Sequence, residues 1–344
     1  MLKSSHVLTH PSSGIPGGEV VVERSDLPGE RQGKPSVWFE TEQSHLVVGT
    51  PRRVLALVPR LKKHGPIEVR FAVSDDGETT VKTASFIAGR VLAEDLHPVA
   101  SPAFDPDDGS LFVTRSGSRG EHIPVTLFRI SVAGEVSEFS GDITNPTGIA
   151  FDKRGQMFVT SRLDGTVYRV TPLNEVVAFA GDLGIATGLA FDQAGEMYVG
   201  DRSGTIHRVN EIGQARPWVQ VEPSVSAYHL AFGPDGALYL SGPTVSGFDV
   251  ITRIDEHGKT GIFYRGLGRP QGLAFDRQGN LYVAASLHGR RGIVRISADA
   301  GQAEIVVAGM NLVGLAFSAK GDVVVATNEA VYSLPLGIYG TLLD

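Results

Sequence analysis

The chain has 344 residues, 42% of them apolar and 20% charged, a balance that belongs to folded globular proteins and excludes disorder. It contains no cysteine, which removes disulfides, thiolate chemistry and cysteine-bound zinc. Of 31 Lys and Arg against 38 Asp and Glu, residues 1–90 hold 12 against 10, leaving 19 against 28 in the remainder, and so acidic a remainder argues against a phosphate backbone as partner.

No apolar run near the start is long enough for a signal peptide and none elsewhere could span a bilayer. The expected compartment is the cytoplasm, with neither nucleic acid nor membrane as partner.

The first ninety residues read as short strands: Gly14 to Val22, Ser36 to Phe39, Leu46 to Val48, Arg53 to Pro59, Ile67 to Val73 and Val81 to Phe86. β-Branched runs with turn punctuation at this spacing predict a small antiparallel sandwich. The Pro16-Gly17-Gly18 before the first long strand and the Val58-Pro59 that ends a middle one resemble the immunoglobulin-like IPT/TIG family over about residues 8 to 88. That resemblance implies an interaction or spacer module and no chemistry. His6, His10, His45 and His64 are scattered, and the basic run Arg60-Leu61-Lys62-Lys63-His64 reads as a solvated loop.

From residue 91 onward one phrase recurs, ending at Phe104, Phe151, Phe191, Phe232, Phe275 and Phe317. A period of 40 to 47 residues in which each copy reads as four short strands predicts blades arranged around a ring. The expected fold is all-β: an immunoglobulin-like sandwich over 1–90, then a six-bladed β-propeller over 91–344. Turns of the Asp192 to Gly195 kind join first and second strands, since Asp accepts local N–H bonds and Gly takes positive φ. Arg129, Arg169, Arg208, Arg253 and Arg295 recur at one place in the third strand, which marks them as architecture. The sixth blade needs an outer strand, expected from Ala84 to Val91 or from Ile338 to Leu343; the first would close the ring.

The blade phrase, as in Thr187-Gly188-Leu189-Ala190-Phe191-Asp192 followed by Met197-Tyr198-Val199, resembles the NHL-repeat and gluconolactonase (senescence-marker-like) propellers. The enzymes among these hold a divalent metal at the channel mouth. Their ligand positions align here with Ala100, Tyr228 and Gln271, so no metal and no other cofactor is expected.

The loops that differ among copies gather on one face and are rich in arginine and histidine, including Arg115, Arg119, His122, Arg162, Arg202, Arg290 and Arg291, beside Asp164, Asp201 and Asp249. Either the arginines clamp an anion or they pair with these aspartates. Tyr228 and His229 replace the Thr-Gly of Thr147-Gly148 and Thr187-Gly188, placing a bulky titratable pair where the fold prefers small residues. His229 and Tyr228 are therefore the candidate catalytic residues, with Gln271, Arg162, Arg202, Arg291, Thr147 and Thr187 as candidate ligand contacts. Two functions remain open: a propeller binding a small polar or anionic ligand at its mouth, with a lactone or ester hydrolase as its enzymatic form, and a non-catalytic module that binds a protein on the loop face.

Overall fold

The computed structural model describes residues 7–25, 33–75, 78–98, 100–117, 121, 123–140, 142–171, 173, 175–247 and 249–341. Every regular element among them is a strand. No helix among them is long and apolar enough to cross a membrane.

Two sheets make up the N-terminal part. One runs in the order Val7–His10, Glu19–Arg24, Arg53–Leu57, Leu46–Gly49, and the other contains Ser13–Gly14, Glu78–Ala88, Gly65–Asp75, Lys34–Phe39 and Glu42–Gln43. Alternate residues of both, among them Val20, Val22, Val54, Ala56, Val37, Phe39, Val69 and Phe71, turn inward to one buried core. Phe39 and Phe86 meet edge to face inside it, with ring centroids 5.1 Å apart.

The remainder forms six units in succession, the fifth continuous through Ser13–Gly14 with the second N-terminal sheet. Unit one is Ala103–Phe104, Leu111–Thr114, Leu127–Ile130 and Val136–Ser140; unit two is Pro146–Phe151, Met157–Ser161, Thr166–Val170 and Val176–Ala180. Unit three is Ala186–Phe191, Met197–Asp201, Thr205–Val209 and Ala215–Gln220; unit four is His229–Phe232, Leu238–Ser241, Val250–Ile254 and Thr260–Arg265. Unit five is Leu273–Phe275, Leu281–Leu287, Arg290–Ile296 and Ala303–Ala308; unit six is Leu312–Phe317, Asp322–Thr327 and Ala330–Pro335. Second strands such as Met157–Ser161 are buried throughout, whereas fourth strands such as Ala215–Gln220 are largely exposed. That gradient explains why second strands read as continuous apolar runs.

The recurring phenylalanine is a joint between units. Each packs on the aromatic residue of the preceding unit's second strand: Phe151 on Phe112, Phe191 on Phe158, Phe232 on Tyr198, Phe275 on Tyr239 and Phe317 on Tyr282, with centroids 4.7–5.8 Å apart. Such pairs add about 0.5–1.5 kcal/mol each beyond the area they bury. At the sixth joint Phe104 packs into the cluster that holds Val324.

Hydrogen bonds from the first or second strand of one unit to the inner strand of its neighbour close the ring. Thr114 donates to the Thr147 carbonyl at 3.2 Å, Thr160 to the Thr187 carbonyl, and the Tyr228 amide to the Thr187 hydroxyl at 3.1 Å. Ser241 then donates to the Gln271 carbonyl at 2.5 Å, the Gly272 amide to the Val313 carbonyl at 3.1 Å, and the Leu315 amide to the Ser101 hydroxyl at 3.4 Å. Each junction thus carries at least one bond, and the last returns from unit six to unit one. Inner strands approach so closely that a Cβ on Gly188 would lie 2.5 Å from the Tyr228 carbonyl oxygen, and one on Gly314 would lie 2.4 Å from the Ser101 Cα.

The outer strand of unit six is Arg90–Glu94, antiparallel to Ala330–Pro335. It overlaps the expected segment only at Arg90 and Val91. Ala84 to Ala88 instead end the Glu78–Ala88 strand of the N-terminal part, and the tail runs past unit five, where the Thr341 amide donates to the Phe275 carbonyl at 3.0 Å. A two-residue strand joins the two halves: Gly14 pairs in parallel with Ala88 on one side and Ala308 of unit five on the other.

Four of the five recurring arginines pair with carboxylates of their own units. Arg253 meets Asp235 at 2.8 Å and Arg295 meets Glu304 at 3.1 Å; Arg129 and Arg208 bond Asp108 and Glu196.

Candidate functional site

At the inner-strand position filled by Ser101, Gly148, Gly188, Gly272 and Gly314, unit four carries His229. Its side chain points across the junction to unit five, where Nε2–H donates to Oε1 of Gln271 at 3.3 Å. An amide oxygen only accepts, so this bond fixes the tautomer with the lone pair on Nδ1. Burial pushes the imidazole down to about 4, with the Gln271 bond opposing the shift, and His229 is therefore neutral near pH 7. Unit five's inner strand, Leu273–Phe275, is three residues long against six in units two and three.

Tyr228 turns the other way, into the core between units three and four, and only 2% of its surface is exposed. Its hydroxyl donates to the Glu222 carbonyl, and burial with the Glu222 and Asp201 charges drives the phenol far above its usual range. Two glycines make room for the ring: a Cβ at Gly200 would sit 3.2 Å from the Tyr228 Cβ, and one at Gly242 would sit 3.1 Å from its Cδ1. The residues aligned with Gly200 are Thr114 in unit one and Thr160 in unit two.

Arg162 and Arg202 follow the second strands of units two and three at the same end of the ring. The Arg162 amide donates to the Asn145 carbonyl at 3.2 Å and the Arg202 amide to the Ile185 carbonyl at 3.1 Å. Among the described residues their guanidiniums reach only carbonyl oxygens: Arg162 that of Gly117 at 3.1 Å, Arg202 those of Val225 at 3.2 Å and Ser224 at 3.5 Å. Burial holds Arg162 below the usual guanidinium range, and the neighbouring Arg202 charge lowers it further. Neither makes an ion pair among the described residues.

The aspartates of that face are engaged elsewhere. Asp201 accepts the Ile185 amide at 2.8 Å and the Ser203 hydroxyl. Asp249 accepts the Thr244 amide at 2.9 Å and the Arg269 amide at 3.0 Å, and Asp164 the Tyr168 hydroxyl at 2.6 Å. They order their own loops rather than neutralise Arg162 or Arg202.

Thr147 and Thr187 occupy equivalent inner-strand positions with different surroundings. The Thr187 hydroxyl donates to the Gly200 carbonyl at 3.0 Å and accepts the Tyr228 amide. The Thr147 hydroxyl is buried and, among the described residues, has no hydrogen-bond partner.

Arg291 is not brought to this group. It is exposed on the third strand of unit five, opposite Ser286, and its carbonyl accepts the Gly309 amide at 3.3 Å next to the N-terminal part. Its neighbour Arg290 donates to the His10 carbonyl at 3.0 Å. Arg119 and His122 lie outside the described residues. Sequence reading passed over Asn145, which holds the unit-one loop through the Gly117 carbonyl at 3.2 Å and has φ of 48°. A polar residue in the left-handed region beside an inner strand was the available signal.

Ala100 is buried and offers no side-chain donor, the Tyr228 oxygen lies at Glu222, and the Gln271 oxygen is bonded to His229. No three His, Asp or Glu side chains converge among the described residues.

No family model and no curated protein matches the chain. Solved structures do. A protein of unknown function from Bacteroides thetaiotaomicron is similar over 97% of this chain and 98% of its own, at 16% identity and a TM-score of 0.57. A gluconolactonase from Xanthomonas campestris covers 72% of this chain and 89% of its own at 16% identity and a TM-score of 0.60. A virginiamycin B lyase from Staphylococcus aureus covers 72% and 86% at 16% identity and a TM-score of 0.51. At these identities the likeness is one of fold: an all-β chain with propeller-like neighbours.

Proposed function

We propose that residues 91–344 are a six-bladed propeller that binds a small anionic molecule at the end of the ring where Arg162 and Arg202 stand, and that residues 1–90 are its immunoglobulin-like companion of IPT/TIG type. One observation carries this reading: two like charges, one of them half-buried, sit together with no ion pair among the described residues, while Asp164, Asp201 and Asp249 of the same face bond elsewhere. Holding guanidiniums so costs repulsion and desolvation, which an anion would offset through bidentate bonds. The buried Thr147 hydroxyl on the adjacent inner strand has no hydrogen-bond partner among the described residues and is a neutral donor beside this group.

We assign binding rather than turnover to this site. A hard divalent cation takes several oxygen ligands, and Ala100, Tyr228 and Gln271 do not fit one, so no step is routed through a metal. His229 is neutral but a weak base at about 4, two or more units below the range in which a general base works well near pH 7. With Gln271 it forms a neutral polar pair between units four and five.

Calorimetric titration with gluconate, citrate and inorganic phosphate tests the reading against wild type, Arg162→Ala and Arg202→Ala. At least one anion should bind wild type, and each variant should bind it at least about tenfold more weakly, the loss of one charge-assisted bond of about 1.5–3 kcal/mol. If every anion is ignored by wild type, or if the variants bind as well as wild type, the arginines are structural.

A further inference from the structure

A cavity lined by neither of these arginines lies in the seam between the N-terminal part and unit six. It encloses about 190 Å³ and is lined by Val58, Leu61 and Val91 with Arg60, Glu94 and Tyr332. Pockets for drug-sized ligands run from about 300 Å³ upward, so this space suits a smaller molecule. Its walls are fixed by main-chain bonds: the Gly89 amide donates to the Gly14 carbonyl and the Val58 amide to the Gly18 carbonyl, each at 2.9 Å.

The closing strand is distorted at this cavity. Val91 pairs with Tyr332 and Glu94 with Ala330, with a bulge between Val91 and Ala93. In a regular strand residues 91 and 94 would face opposite ways, since side chains alternate. The extra residue reverses that parity, so Glu94 joins Val91 and Tyr332 on the face that lines the cavity. Bulges commonly re-aim a side chain beside a functional site. Burial holds the Tyr332 phenol above its usual range, making it a neutral donor.

Opposite Glu94 stands Arg60, from the basic run of the N-terminal part, with Nη1 3.6 Å from the Glu94 carboxylate. A tight charge-assisted bond would be about 2.7–2.9 Å, and both side chains are exposed, so the contact is a weak latch. The cavity therefore offers one cation, one anion and an aliphatic wall within a small volume.

We infer that this seam binds a small zwitterion with an aliphatic side chain, of the free α-amino acid class: its carboxylate on Arg60, its ammonium on Glu94 and its side chain against Val58, Leu61 and Val91. The ligand inserts into the latch and exchanges one loose ion pair for two.

The test titrates the full chain with L-leucine, and with 4-methylpentanoate and 3-methylbutylamine, which each lack one of its charges, followed by calorimetry and by chemical shifts. Saturable leucine binding below about 10 mM is expected, with each control at least about tenfold weaker. Arg60→Gln and Glu94→Gln should each weaken leucine by a similar factor, and a thermal melt establishes that both remain folded. Absence of saturation up to about 50 mM, equal binding of the controls, or unchanged binding in both folded variants would overturn the assignment.

Discussion

The ring of Tyr228 lies against Gly200, whose absent side chain leaves the space that threonine fills at the matching places in units one and two, Thr114 and Thr160. Position 200 and position 228 are thus one packing solution. Gly200→Thr should overpack this junction and cost about 1–3 kcal/mol in urea unfolding. Tyr228→Thr alone should leave a cavity and also destabilise. The double variant should recover part of the loss, giving a favourable coupling energy, whereas simple additivity of the two would show that the residues do not share the space.

Thr160 tests the closure of the ring. It accepts the Gly148 amide at 2.8 Å and donates to the Thr187 carbonyl of the next unit. Thr160→Val keeps the shape and orphans a buried amide, for an expected cost of about 1–3 kcal/mol. A loss under about 0.5 kcal/mol would mean that the belt of bonds between units contributes little.

Much of this architecture was legible because each unit repeats it. The phenylalanines ending at Phe317 and the arginines around Arg253 recur, and recurrence separates structure from site. What could not be read was what only three-dimensional neighbours decide. Tyr228 and His229 are adjacent in sequence, yet strand alternation sends one into the core at Gly200 and the other across to Gln271. Similarly, Phe86-Ile87-Ala88-Gly89 has the wording of an outer strand, but Ser13 and Gly14 capture Ile87 and Ala88, and the closing strand begins after Gly89. Arg162 and Arg202 were named from composition; that the aspartates beside them bond main chain instead depends on loop geometry.

His229 gives the chain a pH dependence with a definite sign. Its pKa falls from 6.5 in the unfolded chain to about 4 in the fold, so between those values the unfolded state binds more protons. This group's contribution to stability is then full above pH 6.5 and is lost as pH falls toward 4. At about 1.4 kcal/mol per pH unit the loss approaches about 3 kcal/mol. His229→Gln removes the titration, so the unfolding free energy of wild type minus that of the variant should fall by about 2–3 kcal/mol between pH 7.5 and 4.5. A constant difference across that range would show that His229 titrates alike in both states.

The pairing at Gly14 and the closing strand predict different outcomes for two truncations. A chain starting at residue 90 loses the contacts of Ile15 with units five and six and the pairing of Gly14 with Ala308, but keeps Arg90–Glu94 along Ala330–Pro335. It should unfold cooperatively at a lower midpoint than the full chain. A chain starting at residue 96 also loses buried Ala93 from the cluster of Val324, Ala326 and Val331, and leaves the Ala330–Pro335 edge unpaired. An open edge of buried apolar strand invites pairing with a second chain, so this species should melt without a sharp transition and associate at raised concentration. Scanning calorimetry and sedimentation decide the matter: coincident melts and equal monomer fractions for the two truncations would mean that Arg90–Glu94 does not close the ring, and that the core of unit six suffices without it.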